Sequence, residues 1–435
     1  MQGAERFPLV TWRRRCVGIC APMLTTAPSK RRIPLYLQIL VGLVVGLVLG
    51  ALLGKDAAAP FGELGKLIIS LIKAIATPLL FLVIVNAILK TEIRGAAGLR
   101  LIGWAMLNAS IALTIGVALS NLLQGGKHLT VLATSGTTAS YVGKKVDFAG
   151  VVNSIVPTSI AGPFVENLIL AVIVLALLFG FGLRIARAEE ATKDSAAVVE
   201  RGLEALLRVT EIVLGWAIKL IPLAVFGVVT KAVGEHGFAP LRGLSWYVGT
   251  ALLGFALQVG ITYHAWLWLF AKRSIAAFWR EAKEPVIYAL GANSSLATLP
   301  VTLNALNRLG VSKEASTLGA CVGTNFNNDG IILYEGMAVL FVAQAAGIDM
   351  SLGQQVMAAL VCMVAALGVA GIPEAGFISL ALVLNTVGLP IEMLPLLLTV
   401  DWIVARGRSA VNVLSDMMLS LLVDRGAPAP SGPAP

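Results

Sequence analysis

The 435-residue chain is short of charge: Asp, Glu, Lys and Arg make up 13% of it, about half the share of a soluble globular domain. That shortage excludes a soluble enzyme. The three histidines, His128, His236 and His264, are too scattered for a zinc or haem site, and HExxH is absent. The four cysteines imply no disulfide framework: Cys16 and Cys20 match no metal spacing, and Cys321 and Cys362 lie inside apolar runs. GxSxG is missing and no His or Lys base stands near Ser294 or Ser295, which argues against an intramembrane hydrolase. The paired aspartates also lack the flanking motif of membrane aspartyl proteases.

Apolar residues are abundant, at 57%, and the mean hydropathy is +0.86. Runs of about 20 apolar residues, the length that crosses a bilayer, cover 35–54, 67–89, 101–123, 167–183, 207–229 and 248–270. The net charge of +9 would suggest nucleic acid in a polar protein, but here the basic residues fall in short loops and read as topology determinants. Arg13, Arg14, Arg15, Lys30, Arg31, Arg32, Lys90, Arg94, Arg100, Arg184, Arg187, Lys272 and Arg273 share one side if the N-terminus is cytoplasmic. The opposing loops hold fewer, chiefly Lys55, Lys127, Lys144, Lys145 and Arg242. The first residues resemble no cleavable signal, Met23 is an alternative start, and the Pro- and Ala-rich tail from Gly426 is expected to be disordered. Gly42, Gly46, Gly50 and Gly54 expose one helix face as bare backbone, read as a surface for intramolecular helix packing.

The regular pattern stops after Phe270. Polar, Gly- and Pro-containing breaks follow at ANSSLATLP (292–300), GTNFNNDG (323–330), AGIPEAG (370–376) and DWIVARGRSAVNVLSD (401–416). Helix-breaking backbone at membrane depth is tolerated only where protein or a water-filled cavity satisfies it. The breaks come in two similar halves, the pattern of a transporter with inverted repeats and a midplane site.

On the last helical segment Asp401, Ala405, Arg408, Asn412 and Asp416 line one stripe. An Arg or Asp at the bilayer centre costs about 2.5–3.5 kcal/mol, so these residues call for partners or water. An ion pair of Arg408 with Asp416 at the cytoplasmic end is the structural alternative to a binding role. Asp329, with the carbonyls freed by its break, offers hard oxygen donors to a small cation, although NDG is also ordinary turn chemistry. Asp329 and Asp416 would each take a monovalent cation, and Arg408 a carboxylate. Only the fully loaded site is then near neutral, which is the physical basis of obligatory cation–anion cotransport.

These residues resemble the dicarboxylate/amino acid:cation symporter family, which has the glutamate-transporter fold. The likeness runs from about Pro34 to Arg425 and is specific in the last third. NSSLATLP is similar to the tip of the family's first re-entrant hairpin, GTNFNNDG to its NMDGT break, and AGIPEAG to the tip of its second hairpin. The resemblance implies an all-α membrane protein with eight transmembrane helices, two re-entrant hairpins and inverted repeats, working as an elevator-type homotrimer. The expected divisions are a cytoplasmic segment 1–33, a mainly scaffold region 34–271 whose third and sixth spans join the transport unit, a transport core 274–425, and the tail 426–435.

By the same resemblance, substrate is bound by Arg408, Ser409 and Asn412, with backbone amides of Ser294, Ser295 and the tip that includes Gly371, Ile372 and Gly376. Sodium is bound at Gly323, Asn325, Asn327, Asp329, Asn412 and Asp416, largely through carbonyls. The chain departs from the family at Ala405, where amino-acid-transporting members carry the Asp that holds the α-amino group, and an ammonium buried there would have no anion. A C4-dicarboxylate is therefore favoured, with an acidic or neutral amino acid held by Asp401 or Glu374 as the alternative. Ile331 replaces a Thr that contacts the distal carboxylate. Ala105, Asn108 and Ala109 stand where a third sodium site would be, so fewer than three sodium ions are expected. Glu335 matches a glutamate that carries a proton in some animal members, and a structural, cavity-facing role is the alternative. The expectation is a symporter and not an enzyme, with no cofactor beyond Na+ or H+ as coupling ions and no nucleic-acid partner, multi-pass in a bacterial inner membrane with both termini cytoplasmic.

Overall fold

A computed structural model describes residues 35–90, 95–129, 156–157, 159–166, 168–325, 327–367 and 375–424. Among them every regular element is helical. The segments 1–33 and 426–435, Lys144, Lys145, Gly371 and Ile372 fall outside these residues.

The main helices are α1 (Leu35–Lys90), α2 (Gly95–Leu123), α3 (Ile169–Ala188), α4 (Lys193–Ile218), α5 (Ile221–His236) and α6 (Ala239–Leu257). They are followed by α7 (Ile275–Ala292), α8 (Ser295–Arg308), α9 (Asp329–Ala345), α10 (Leu352–Leu367), α11 (Ala375–Thr386) and α12 (Leu394–Val423). Among the described residues five stretches are long and apolar enough to cross a membrane: Leu37–Gly65, Gly98–Leu123, Ala171–Ala188, Lys193–Glu235 and Arg242–Ala271. Large apolar side chains such as Val41, Val48, Leu52, Leu178, Phe179 and Trp268 point outward from them, as lipid-facing surfaces do.

α1 is two arms that reverse at Gly54, whose φ of 69° and ψ of −174° lie outside the helical region and suit a residue without a Cβ. A Cβ on Gly42 would lie 2.6 Å from the Pro222 carbonyl oxygen, one on Gly46 2.9 Å from that of Phe226, and one on Gly50 2.6 Å from that of Thr230. The glycine stripe is thus an intramolecular seam against α5. A Cβ on Gly54 would meet nothing within 4 Å, but one on Gly234 of α5 would lie 2.9 Å from the Gly54 carbonyl oxygen, so the reversal also sits against α5. The second arm runs back along the same helix, with Gly62 against Lys231 and Gly65 against Val228. The expected span 207–229 divides between α4 and α5, because Pro222 cannot donate the backbone bond that would continue α4 past Ile218.

α9 and residues 408–423 of α12 are buried on nearly every side, as expected of helices at the centre of a bundle. α7 and α8 form a helical hairpin. Asn293 turns it in the left-handed region at φ 50°, a conformation Asn tolerates, and the Ser294 hydroxyl caps α8 by accepting from Ala297 N at 3.2 Å. At its open end Arg308 donates to Glu281 and to Glu284. Before α9 the chain passes through a wide π turn at Thr317–Val322 and a tight 3-10 turn at Gly323–Asn325, so the GTNFNNDG segment is a helix interruption. α6 likewise widens into π turns at Gln258–Tyr263 and Leu267–Ala271, which are frequent at functional sites.

Candidate functional site

The expected stripe is present on α12: Asp401, Ala405, Arg408, Ser409, Asn412 and Asp416 are all buried. Three other elements converge on Arg408. The first is α9, whose Tyr334 ring lies under the guanidinium at 4.7 Å from centroid to Cζ, a cation–π contact. The tip of the α7–α8 hairpin is the second: Asn293 Oδ1 accepts from Ser409 Oγ at 3.1 Å. The third is the start of α11, where a Cβ on Gly376 would lie 2.2 Å from Arg408 Nη1. Only glycine lets that backbone approach so closely.

Arg408 pairs with Asp401, Nη1 to Oδ1, at 3.7 Å. The pairing with Asp416 weighed as a structural alternative is not the one formed. Asp416 instead lies beside Thr324 and Asn327, two turns away on the other side of Asn412. Asn412 ties the two helices together: its Oδ1 accepts from Gly330 N at 2.8 Å, where a Cβ on Gly330 would lie 2.3 Å from the Arg408 carbonyl oxygen.

Asp329 opens α9 at the centre of a second group. Its Oδ2 accepts from Ser415 Oγ at 2.6 Å, Tyr263 OH at 3.0 Å and Gln258 Nε2 at 3.4 Å. Asn327 Nδ2 donates to the same Ser415 hydroxyl at 2.6 Å. On the far side Asn108 faces Ser415 at 3.4 Å and accepts from Trp266 Nε1 at 2.6 Å. The position aligned with a third cation is therefore spanned by neutral side chains bonded to one another.

Three oxygens of this group, Asp329 Oδ1, Asn327 Oδ1 and Asp416 Oδ1, are buried with no hydrogen-bond partner. Orphaned oxygens around a helix break suit a small hard cation. The described residues contain no cluster of three His, Cys, Asp or Glu side chains that could hold a metal ion.

Of the other anticipated residues, Gly323 and Asn325 lie in the 3-10 turn before Asn327, Ile331 is buried on the first turn of α9, and Ser295 opens α8. Glu335 is fully buried beside Ser379 and in the field of Arg408, with neither carboxyl oxygen hydrogen-bonded. Gly371, Ile372 and Glu374 lie outside the described residues. Sequence reasoning missed Asn293, Tyr334, Tyr263, Gln258, Trp266, Ser415 and Thr324. The available signal was polar or aromatic residues inside apolar segments, but it does not say which of them meet.

The sodium:dicarboxylate symporter family model matches residues 35–426. The chain belongs to this family. It is 30% identical over 420 residues to the C4-dicarboxylate transport protein of Rhizobium johnstonii, covering 94% of this chain and 93% of that one. It is 32% identical over 422 residues to the protein of the same name from Delftia acidovorans, covering 92% of each. To that of Rhodospirillum rubrum it is 32% identical over 409 residues, covering 91% of this chain and 89% of the relative. The family is one of transporters, and its helical, multi-pass character agrees with the apolar helices above.

Proposed function

We propose that the protein is a secondary active symporter that imports small dicarboxylates, C4-dicarboxylates first, coupled to sodium. The observation that carries the reading is the buried Arg408 guanidinium where α9, α11, α12 and the α7–α8 tip converge. A guanidinium is the side chain suited to a carboxylate, through two parallel N–H···O bonds. In this reading Ser409 and backbone amides of Ser294, Ser295 and Gly376 supply neutral donors around it. Ala405, fully buried on the same face, offers no anion to an ammonium. Asp401 is already engaged with Arg408, which weighs against the amino-acid alternative. The printed names of the relatives, C4-dicarboxylate transport proteins, support the same substrate class.

Charge balance makes the coupling obligatory. Asp329, Asp401, Asp416 and Glu335 share the interior with one guanidinium, and a dianion adds to the negative side. Cations at the bare oxygens of Asp329, Asn327 and Asp416, completed by Asn412 and by carbonyls of Gly323 and Asn325, would offset part of it. The Trp266–Asn108–Ser415 chain favours two sodium ions over three. In this reading α1, α3, α4 and α5 form the static scaffold of a homotrimer in a bacterial inner membrane, with both termini cytoplasmic. The elements around α9 and α12, joined by α2 and α6, move as an elevator.

The test is uptake of labelled succinate or malate, beside aspartate, into proteoliposomes under an imposed sodium gradient and then a proton gradient. Sodium-driven dicarboxylate accumulation without aspartate uptake is expected. Aspartate accumulation would overturn the substrate assignment, and equilibration without accumulation would overturn symport.

A further inference from the structure

Asp401 is only 3% exposed, and neither of its carboxyl oxygens has a hydrogen-bond partner. The charged and titratable groups that face it come from three helices: Arg408 on α12, Tyr334 on α9 and Tyr247 on α6. The Tyr334 ring stands edge-on to the Tyr247 ring at 6.5 Å between centroids and under the Arg408 guanidinium that pairs with Asp401. Tyr247 OH, fully buried, has no hydrogen-bond partner, and neither has Ser120 Oγ on α2. Both line one small cavity with Thr250, Gln344 and Phe341, of about 10 Å³. That is room for about one water, and the two unpartnered hydroxyls give it two polar partners, the fewest that hold a buried water. The cavity is close to the surface: Gln344 is half-buried, and Gln124, whose N–H donates to the Ser120 carbonyl at 3.0 Å, is exposed. The polar groups thus run in order from the exposed end of α2 to Arg408.

We propose that Asp401 takes up a proton as substrate binds, and that a water held between Ser120 and Tyr247, with the hydroxyls of Tyr247 and Tyr334, carries that proton from the surface marked by Gln124. The inference rests on the reading of Arg408 as the carboxylate site. Without substrate, Asp401 is the counter-ion of Arg408. A substrate carboxylate arriving at the same guanidinium places two anions on one cation in a site with little water, unless one of them is neutralised. Protonation of Asp401 releases Arg408 to the substrate and leaves a neutral carboxyl able to donate a hydrogen bond. The water takes a proton from bulk solvent as it gives one of its own to Tyr247, Tyr247 and Tyr334 each accept one proton and pass on their own, and an Asp401 oxygen receives the last. The proton leaves when the substrate has departed and Asp401 pairs with Arg408 again.

The sign of the linkage follows directly. The loaded state holds one proton more than the empty one, so affinity rises as pH falls, approaching tenfold per pH unit for one linked proton. The experiment is succinate binding by the full-length purified protein at saturating sodium. Proton uptake is read with an indicator dye in weakly buffered solution, and the dissociation constant is read by calorimetry at several pH values. Wild type is expected to take up about one proton per succinate, Asp401→Asn none with a flat pH profile, and Glu335→Gln the wild-type amount. Tyr247→Phe should keep the stoichiometry and slow the uptake several-fold in stopped flow. Binding to wild type without proton uptake overturns the proposal, which needs no variant to fold. Uptake that persists in Asp401→Asn, or is lost in Glu335→Gln, overturns it in favour of Glu335, and an unchanged rate in Tyr247→Phe overturns the path. Failure of wild type to bind succinate at any pH is a different result, and refutes the carboxylate reading itself.

Discussion

Replacing Ser415 by alanine removes a single oxygen from the centre of the Asp329 group. That oxygen accepts from Asn327 Nδ2 at 2.6 Å and donates to Asp329 Oδ2 at 2.6 Å, and the residue is fully buried. Losing a hydrogen bond to a charged group costs about 1.5–3 kcal/mol, and leaving the Asn327 amide without an acceptor costs about 1–3 kcal/mol more. The contact with Asn108 at 3.4 Å is too long to add much. The expected loss is therefore about 3–5 kcal/mol. Ser420→Ala, one turn further along the same helix, is the control. Its hydroxyl donates only to the Asp416 carbonyl of its own helix at 2.9 Å, so its removal should change stability by less than about 0.5 kcal/mol. Equilibrium unfolding of the two variants in mixed micelles, without sodium, measures both. A Ser415→Ala cost no larger than that of Ser420→Ala would refute the account of a carboxylate held by neutral donors.

Gly376→Ala places a methyl group 2.2 Å from Arg408 Nη1; succinate affinity measured by calorimetry should fall by about tenfold or more, since a displacement of a positioning group is worth upward of about 1.4 kcal/mol. Ala405→Asp supplies the missing anion beside Arg408, and aspartate uptake into proteoliposomes under an inwardly directed sodium gradient should appear where wild type shows none; aspartate uptake already present in wild type would contradict the role given to Ala405. Gly50→Leu drives a side chain into the Thr230 backbone and should abolish a monodisperse peak in size-exclusion chromatography. Gly182→Leu, on α3 with nothing within 4 Å, should leave that peak intact.

Much of the helical organisation was legible because bilayer thickness dictates the length of an apolar run. The positions of the two helix interruptions that are described, at Asn293–Ser294 and before Asp329, were legible because polar, turn-forming residues inside such runs have few other physical outcomes. The division between α4 and α5 was not, although Pro222 marks it: hydropathy averages across a kink that one missing N–H creates. The reversal at Gly54 was not legible for a similar reason, since spacing alone does not show that a glycine of a packing stripe also carries a positive φ.

The site divides along the same line. Helical periodicity alone put Asp401, Arg408, Asn412 and Asp416 on one face of α12. It left Arg408 with an acid on either side, about two turns away in each direction. The choice of Asp401 came from what packs against each end: Tyr334 and Gly376 enclose the Asp401–Arg408 side, whereas Asn412 and the break before α9 separate Asp416 from the guanidinium. The bonds that join Asn108 and Trp266 to Ser415, and Tyr263 to Asp329, likewise span elements far apart in the chain. Local sequence sets the direction in which a side chain leaves its own helix. Its partner is set by which other helix the folded chain brings to that face, so the residues and their spacing were present in the sequence while the pairings belong to the tertiary structure.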